Sequence, residues 1–299
     1  MVQKGNIVVI CGPTAVGKSA LGLALAKRYN GEIVSADSMQ IYRGMDIGTA
    51  KPSLQEQKEI KHHLIDILDV NDEYSAEQYK DDADAVISEV ASKGKLPIVL
   101  GGTGFYIKAL LYEHNFGNAQ KNNKIREKYK NILENFGKDY LHDILREKDF
   151  ESSKKIHPND TKKVIRALEI FEVSGKKKSD LVQNEKISRY EYKIYCLNMD
   201  RQALYDRINK RTDAMINDGL IDEVRQLLKN GADVNGQAMQ GIGYKETVGY
   251  LNGVISKDEM INFIKQRTRN YAKRQITYFK GIKDIKWIDV HSTLPDIVL

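Results

Sequence analysis

Cysteine is nearly absent: the 299 residues hold two, Cys11 and Cys196, each inside an apolar run of strand character. Thiols so placed read as buried and free, which sets aside a disulfide framework and a cysteine-built metal site. No H-E-x-x-H or C-x-x-C spacing occurs, so the adjacent His62 and His63 read as structural or substrate-neighbouring rather than as zinc ligands. No apolar run approaches the length that spans a bilayer, and the N-terminus has neither a basic n-region nor a cleavage site. The expectation is therefore a cytoplasmic protein. Internal repeats and low-complexity stretches are missing too. What is present is a globular composition, 41% apolar and 29% charged with a net charge of +6, long for one simple domain and suited to one core plus an insertion.

The phosphate end of the chain is marked by Gly12-Pro13-Thr14-Ala15-Val16-Gly17-Lys18-Ser19, which follows the strand pattern Ile7-Val8-Val9-Ile10-Cys11. The segment matches the P-loop, G-x-x-x-x-G-K-[ST]. Its glycines let the backbone wrap close to oxygens, and successive N–H groups with the following helix N-terminus favour negative charge. Lys18 supplies a cation, and Ser19 can hold Mg2+. A di- or triphosphate fits all of these. A hydrolysing P-loop ATPase also needs an Asp at the end of another strand. The best candidate strand, Leu96-Pro97-Ile98-Val99-Leu100, runs instead into Gly101-Gly102-Thr103-Gly104-Phe105-Tyr106, and no N-K-x-D guanine-reading motif exists.

Strands at 7–11, 32–36 and 97–100 alternate with helices at 18–29, 75–93 and 104–112, the pattern of an α/β fold with a P-loop NTPase-like parallel sheet flanked by helices. From about 115 to 190 strands stop and three amphipathic helical segments follow. The first carries Ile125, Tyr129, Ile132, Leu133 and Phe136 at helical spacing; the third carries Val164, Ile165, Leu168 and Phe171 and ends at Gly175. A strand at 192–197, helices at 201–217 and 220–229 and an edge strand at 286–289 resume the pattern. The expected organisation is a catalytic core of residues 1–114 and 190–299 with basic C-terminal helices, interrupted by an all-helical insertion domain, 115–189.

The second strand delivers Asp37-Ser38-Met39-Gln40 to the carboxyl edge of the sheet, where ligands of open α/β sheets bind. Asp37 is placed to act there on the group that attacks a phosphate-bearing substrate; the alternative is that it caps the next turn or reaches Mg2+ through water. Residues 43–51, polar and punctuated by glycine, read as a mobile loop over the site. Residues 265–286 set Lys265, Arg267, Arg269, Lys273, Arg274, Lys280, Lys283 and Lys286 against one acid, Asp284, with Tyr271, Tyr278 and Phe279 interleaved. Such a strip suits a nucleic-acid backbone, or is a solvated helix face.

Residues 12–19, 37–52 and 101–106, followed in order by Arg207, Ile208, Arg211 and Met215, then 219–224, 240–246 and 268–277, together resemble the bacterial tRNA dimethylallyltransferase family over essentially the whole chain. The resemblance implies transfer of a dimethylallyl group from dimethylallyl diphosphate to N6 of the adenosine just 3′ of the anticodon, in tRNAs reading codons that begin with U. Diphosphate is the leaving group, so no hydrolytic acid is needed. The adenine amine is a weak nucleophile and calls for a base, the role carried over to Asp37. Charge growing on the diphosphate calls for fixed donors and cations. The P-loop with Mg2+ supplies them, and the family pattern adds Thr103 and Arg211, with Arg207 the second choice for that arginine. The resemblance also sets Asp37, Ser38, Met39, Gln40, Thr103 and Arg126 against tRNA. Met39, Gln40, Gln240 and Gln275 are candidates for reading a base turned out of its stack, and Lys273 and Arg274 for gripping the backbone.

The implied partners are dimethylallyl diphosphate and the tRNA anticodon stem-loop, held in part by the insertion, with Mg2+ as cofactor and a monomer as the working unit. Tyr278, Lys163 and Ser174-Gly175-Lys176-Lys177 depart from the usual family pattern and touch only details of RNA grip. Three other readings share parts of the pattern: a small-molecule kinase, an adenylate isopentenyltransferase acting on AMP or ATP, and an RNA-binding P-loop switch without chemistry.

Overall fold

Strands buried at every position, such as Gly31–Ser35, need cover on both faces of their sheet. The computed structural model, which describes residues 4–113, 122–181 and 188–290, provides it. Strand β1 (Lys4–Cys11) leads through the P-loop into α1 (Lys18–Arg28), followed by β2 (Gly31–Ser35), α2 (Leu54–Glu59), β3 (His62–His63), α3 (Ala76–Ser92), β4 (Leu96–Gly101) and α4 (Gly104–Leu111). Helices α5 (Asn123–Lys148), α6 (Phe150–Lys155) and α7 (Thr161–Ser174) come next. The chain then runs through β5 (Tyr190–Asn198), α8 (Arg201–Asn217), α9 (Leu220–Lys229), α10 (Tyr244–Leu251), α11 (Lys257–Phe279) and β6 (Lys286–Asp289).

The six strands form one parallel sheet in the order β3-β2-β4-β1-β5-β6. Val8, Ile10, Ile33, Ile98, Leu100 and Leu197 from the strands pack with Leu21 and Leu25 of α1 and Leu204 and Ile208 of α8 in its core. Cys11 lies level with Gly101 on one side and with Cys196 on the other, and Ser35 lies level with Leu100. The loops after β1, β2 and β4 therefore open at one edge. The parallel α/β sheet and the helical insertion are present as the sequence implies. β3, α2 and α10 escaped it: β3 is too short for a period-two pattern, and α2, at six residues, for a helical one.

The chain divides into two compact units, Met1–Leu111 with Ser188–Leu299, and Tyr112–Ile187. In the second, Tyr129, Leu141, Leu145, Ile156, Val164 and Leu168 make a separate core. Its helices start on their own side chains: Asn122, Asp149 and Asp160 each accept a first-turn N–H. Gly175 at φ +68° ends α7 in the left-handed conformation that its position predicts. Phe136 departs from the expected apolar face. Non-helical Gly137 breaks α5 just after it, and Phe136 is 64% exposed, tilted against Tyr140 at 5.1 Å.

Candidate active site

Helix α1 begins at Gly17, left-handed at φ +106°, with no side-chain cap. Its first N–H groups are thus left for an anion, and the positive φ of Ala15 adds to the concave backbone. Lys18 donates to the Pro13 carbonyl at 2.8 Å. Burial draws Lys18 down to about 8; the Asp37 charge opposes this and the Arg211 charge adds to it. The neighbouring Ser19 is exposed, and its hydroxyl has no protein partner among the described residues.

Arg211 reaches the loop from α8. Its Nη1 donates to Thr14 Oγ1 at 3.3 Å and its Nη2 to the Thr49 carbonyl at 3.4 Å. Burial lowers its pKa while the Asp37 charge raises it. Lys18, Arg211 and Asp37 thus share one field. Arg207, one turn earlier on α8, is exposed, near Gly17, and lines a cleft of about 480 Å³ with Asn198, Asp200 and Asp289. Of the two arginines weighed, Arg211 is the one on Thr14.

Asp37 follows β2. Its Oδ1 accepts the Met39 N–H at 2.9 Å, so the turn-capping role is real, but it engages one oxygen only; Oδ2 meets no protein donor among the described residues. Thr103 binds the two turns together. Its N–H donates to Ala36 O at 3.0 Å and its Oγ1 accepts the Ser38 N–H at 3.0 Å. Gly101 is required beside them, since a Cβ there would lie 2.1 Å from the Ala36 oxygen. Tyr271 stands next to Asp37, Thr103 and Gln275, and burial followed by the Asp37 charge pushes its phenol up to about 12. In the sequence Tyr271 reads as one of the aromatics of the basic strip, within the 268–277 segment, with no role at the site. Its signal was its place one turn before Gln275 on α11.

Several residues expected at an RNA surface turn inward. Gln275 is buried; its Oε1 accepts the Thr14 N–H and its Nε2 donates to Gly102 O, both at 2.9 Å. It joins the P-loop to the turn after β4 and engages both ends of its amide on backbone rather than at an open surface. Gln40 donates to Thr49 O and Ala50 O, each at 3.3 Å. Met39 packs its methyl on Gly241, and Gln240 is exposed but donates to Val234 O at 2.8 Å. In the second unit, Arg126 Nε and Nη2 grip the fully buried Glu169 at 2.8 and 2.9 Å, so that guanidinium is paired within the protein while its side chain stays one-third exposed.

The basic strip is also uneven. Lys265 pairs with Asp213, Arg267 with Glu246 and Arg269 with Asn209, whereas Lys273 and Arg274 are exposed, Arg274 lying over the Tyr271 ring at 5.8 Å. The segment 43–51, expected to be mobile, is tied down: Lys51 is buried against Tyr42 O, Asp46 and Asp66, and Glu223 accepts three of its N–H groups. His63 pairs with Glu32 at 2.7 Å and His62 with Ile60 O at 2.8 Å, both structural.

The fold and this edge define a P-loop α/β protein whose uncapped helix start stands with two buried cations and a carboxylate that has one oxygen free. Comparison with known proteins narrows the class. The IPP transferase family matches residues 40–282, and the chain belongs to that family. It is 47% identical to the tRNA dimethylallyltransferase of Caldanaerobacter subterraneus subsp. tengcongensis, covering 98% of this chain and 95% of that one. It is 48% identical to the enzyme of that name from Thermoanaerobacter sp. strain X514, covering 95% and 92%. Among solved structures it is similar to the full-length tRNA isopentenylpyrophosphate transferase of Bacillus halodurans, with 42% identity, TM-score 0.71 and coverage of 96% and 90%. It is also similar to a eukaryotic dimethylallyltransferase acting on tRNA, with 32% identity, TM-score 0.80 and coverage of 96% and 74%.

Proposed function

We infer that this protein is a transferase that prenylates tRNA, moving a dimethylallyl group from dimethylallyl diphosphate to N6 of the adenosine just 3′ of the anticodon. The observation that carries the mechanism is the free Oδ2 of Asp37 in the same field as Lys18 and Arg211. The C–N bond forms as the C–O bond to diphosphate breaks, and the amine proton passes to Asp37. A carboxylate held by the Met39 N–H keeps one oxygen aimed while the other accepts the proton. On the leaving side, the uncapped start of α1, Lys18 and Arg211 meet the growing charge without having to reorganise. Thr103 keeps the turn after β4 locked to the Asp37 turn.

Mg2+ suits this site because Ser19, whose hydroxyl is unpartnered, would hold it next to Lys18, and the ion would supply charge neutralisation to the diphosphate. The exposed Lys273 and Arg274 face the RNA, and the helical insertion adds a grip on the anticodon stem.

The test mixes protein, Mg2+ and labelled dimethylallyl diphosphate with unmodified tRNA, AMP and ATP in parallel. Label in tRNA alone supports the reading. Label in the free nucleotide makes the protein an adenylate prenyltransferase, and cleavage of ATP without any prenyl product makes it a kinase.

A further inference from the structure

Residues 46–50 touch both sides of the active site, and one distant carboxylate fixes them. Glu223, in the first turn of α9, accepts the N–H groups of Asp46 at 2.9 Å and Ile47 at 2.7 Å on Oε2. Its Oε1 accepts the Gly48 N–H at 3.2 Å and the Tyr244 hydroxyl at 2.7 Å. Four donors fill the acceptor capacity of a carboxylate, and no cation pairs with Glu223 among the described residues. The fit is close: a Cβ on Gly48 would fall 2.5 Å from the Tyr244 ring.

The carbonyls of the same segment point to the chemistry. Thr49 O accepts Arg211 Nη2 at 3.4 Å and Gln40 Nε2 at 3.3 Å, and Ala50 O accepts Gln40 Nε2 at 3.3 Å. Arg211 in turn donates to Thr14 in the P-loop. Gln40 lies three residues after Asp37.

We propose that Glu223 is a positioning residue for the transfer: by fixing residues 46–50 it sets Arg211 against the diphosphate subsite and Gln40 on the acceptor side at once. This rests on the P-loop being the donor subsite and residues 37–40 the acceptor side. A glutamine at 223 keeps one oxygen but turns an NH2 group toward N–H donors, so it retains part of the effect. Alanine retains none.

The experiment is a double-mutant cycle read on the affinity for inorganic pyrophosphate with Mg2+, using the full chain by calorimetry. Pyrophosphate needs only the P-loop and Arg211, so the cycle stands even if wild-type protein fails to prenylate tRNA; that failure strikes the functional reading alone. Glu223→Ala is expected to weaken pyrophosphate about tenfold, Glu223→Gln about threefold, and the Glu223→Ala/Arg211→Ala pair no more than about twofold beyond Arg211→Ala. Affinity for an anticodon stem-loop RNA should fall several-fold in Glu223→Ala as well. If Glu223→Ala does not fold, Tyr244→Phe removes one of the four donors and should still weaken pyrophosphate by about twofold. Factors that multiply for Glu223 and Arg211, or wild-type pyrophosphate affinity in a Glu223→Ala protein of lowered melting temperature, would overturn the proposal.

Discussion

The P-loop edge and the helical insertion use polar groups in opposite ways. In the insertion, α5, α6 and α7 are each capped by a side chain, and Glu169 holds both Arg126 and Arg166. Lys128 is matched by Glu172 and Lys163 by Asp160. At the P-loop, α1 starts uncapped, Asp37 has a bare oxygen, and neither Lys18 nor Arg211 has a carboxylate within ion-pair distance among the described residues. Burial lowers the pKa of both cations there. Stability comes from donors and acceptors that find each other, and a binding site from those the fold keeps apart.

The sharpest break in that contrast is Asp37→Ala, expected to lower single-turnover transfer by roughly 10²- to 10⁴-fold while tRNA affinity stays within a few-fold. Turnover near wild type would remove Asp37 from the proton transfer. On the satisfied side, Glu169→Ala strands two guanidiniums. Burial alone would raise the Glu169 pKa, but Arg126, Arg166 and the Asn122 N–H together hold it below the usual value. A loss of about 3 kcal/mol in unfolding of the helical unit is expected, measured in urea, because the arginines stay one-third exposed. The stabilisation linked to Glu169 should also fade as pH falls below the ordinary glutamate range, its folded pKa being the lower one.

Gln275→Leu leaves the Thr14 N–H and the Gly102 carbonyl without partners, and should cost about 2 kcal/mol of stability with tRNA affinity within twofold. Reduced tRNA affinity at unchanged stability would return Gln275 to the RNA side. Lys18, at about 8, loses its charge as pH rises, and an anion prefers the charged form. Donor affinity should be level below about pH 8 and fall up to about tenfold per pH unit above it, a trend that Lys18→Ala abolishes. The smallest effect separates the two halves of α11. Lys273→Ala with Arg274→Ala should reduce the slope of log affinity for tRNA against log salt by about 1 to 2, and Lys265→Ala should leave it unchanged.

How much of this was legible followed from the range of each signal. The P-loop, the strand leading into it and the Asp37 turn are local, and the sequence carried them with their element boundaries nearly in place. Pairing is not local. Nothing in the spacing of Lys265, Arg267 and Arg269 tells that their partners lie on α8 and α10, so a strip of eight cations read as uniform. Gln275 looked like a surface amide because its two backbone partners come from loops far away in sequence. Residues 43–51 looked free because glycine and charge are the marks of a loop, whereas the carboxylate that fixes them stands on α9. Gly137 was visible, but a lone glycine does not announce a kink.

The level pairing of Cys11, the residue before the P-loop begins, with Cys196 places both thiols in the middle of the sheet, fully buried. Burial, together with the neighbouring thiol, raises Cys11 well above the usual thiol range, so in the folded chain it is a poor nucleophile. A thiol-reactive dye can label either of the pair only when β1 and β5 part. The chain therefore carries its own clock for opening at the phosphate site. Labelling slowed by a bound diphosphate would time how firmly the ligand holds that seam shut, in a protein with no other cysteine to blur the count.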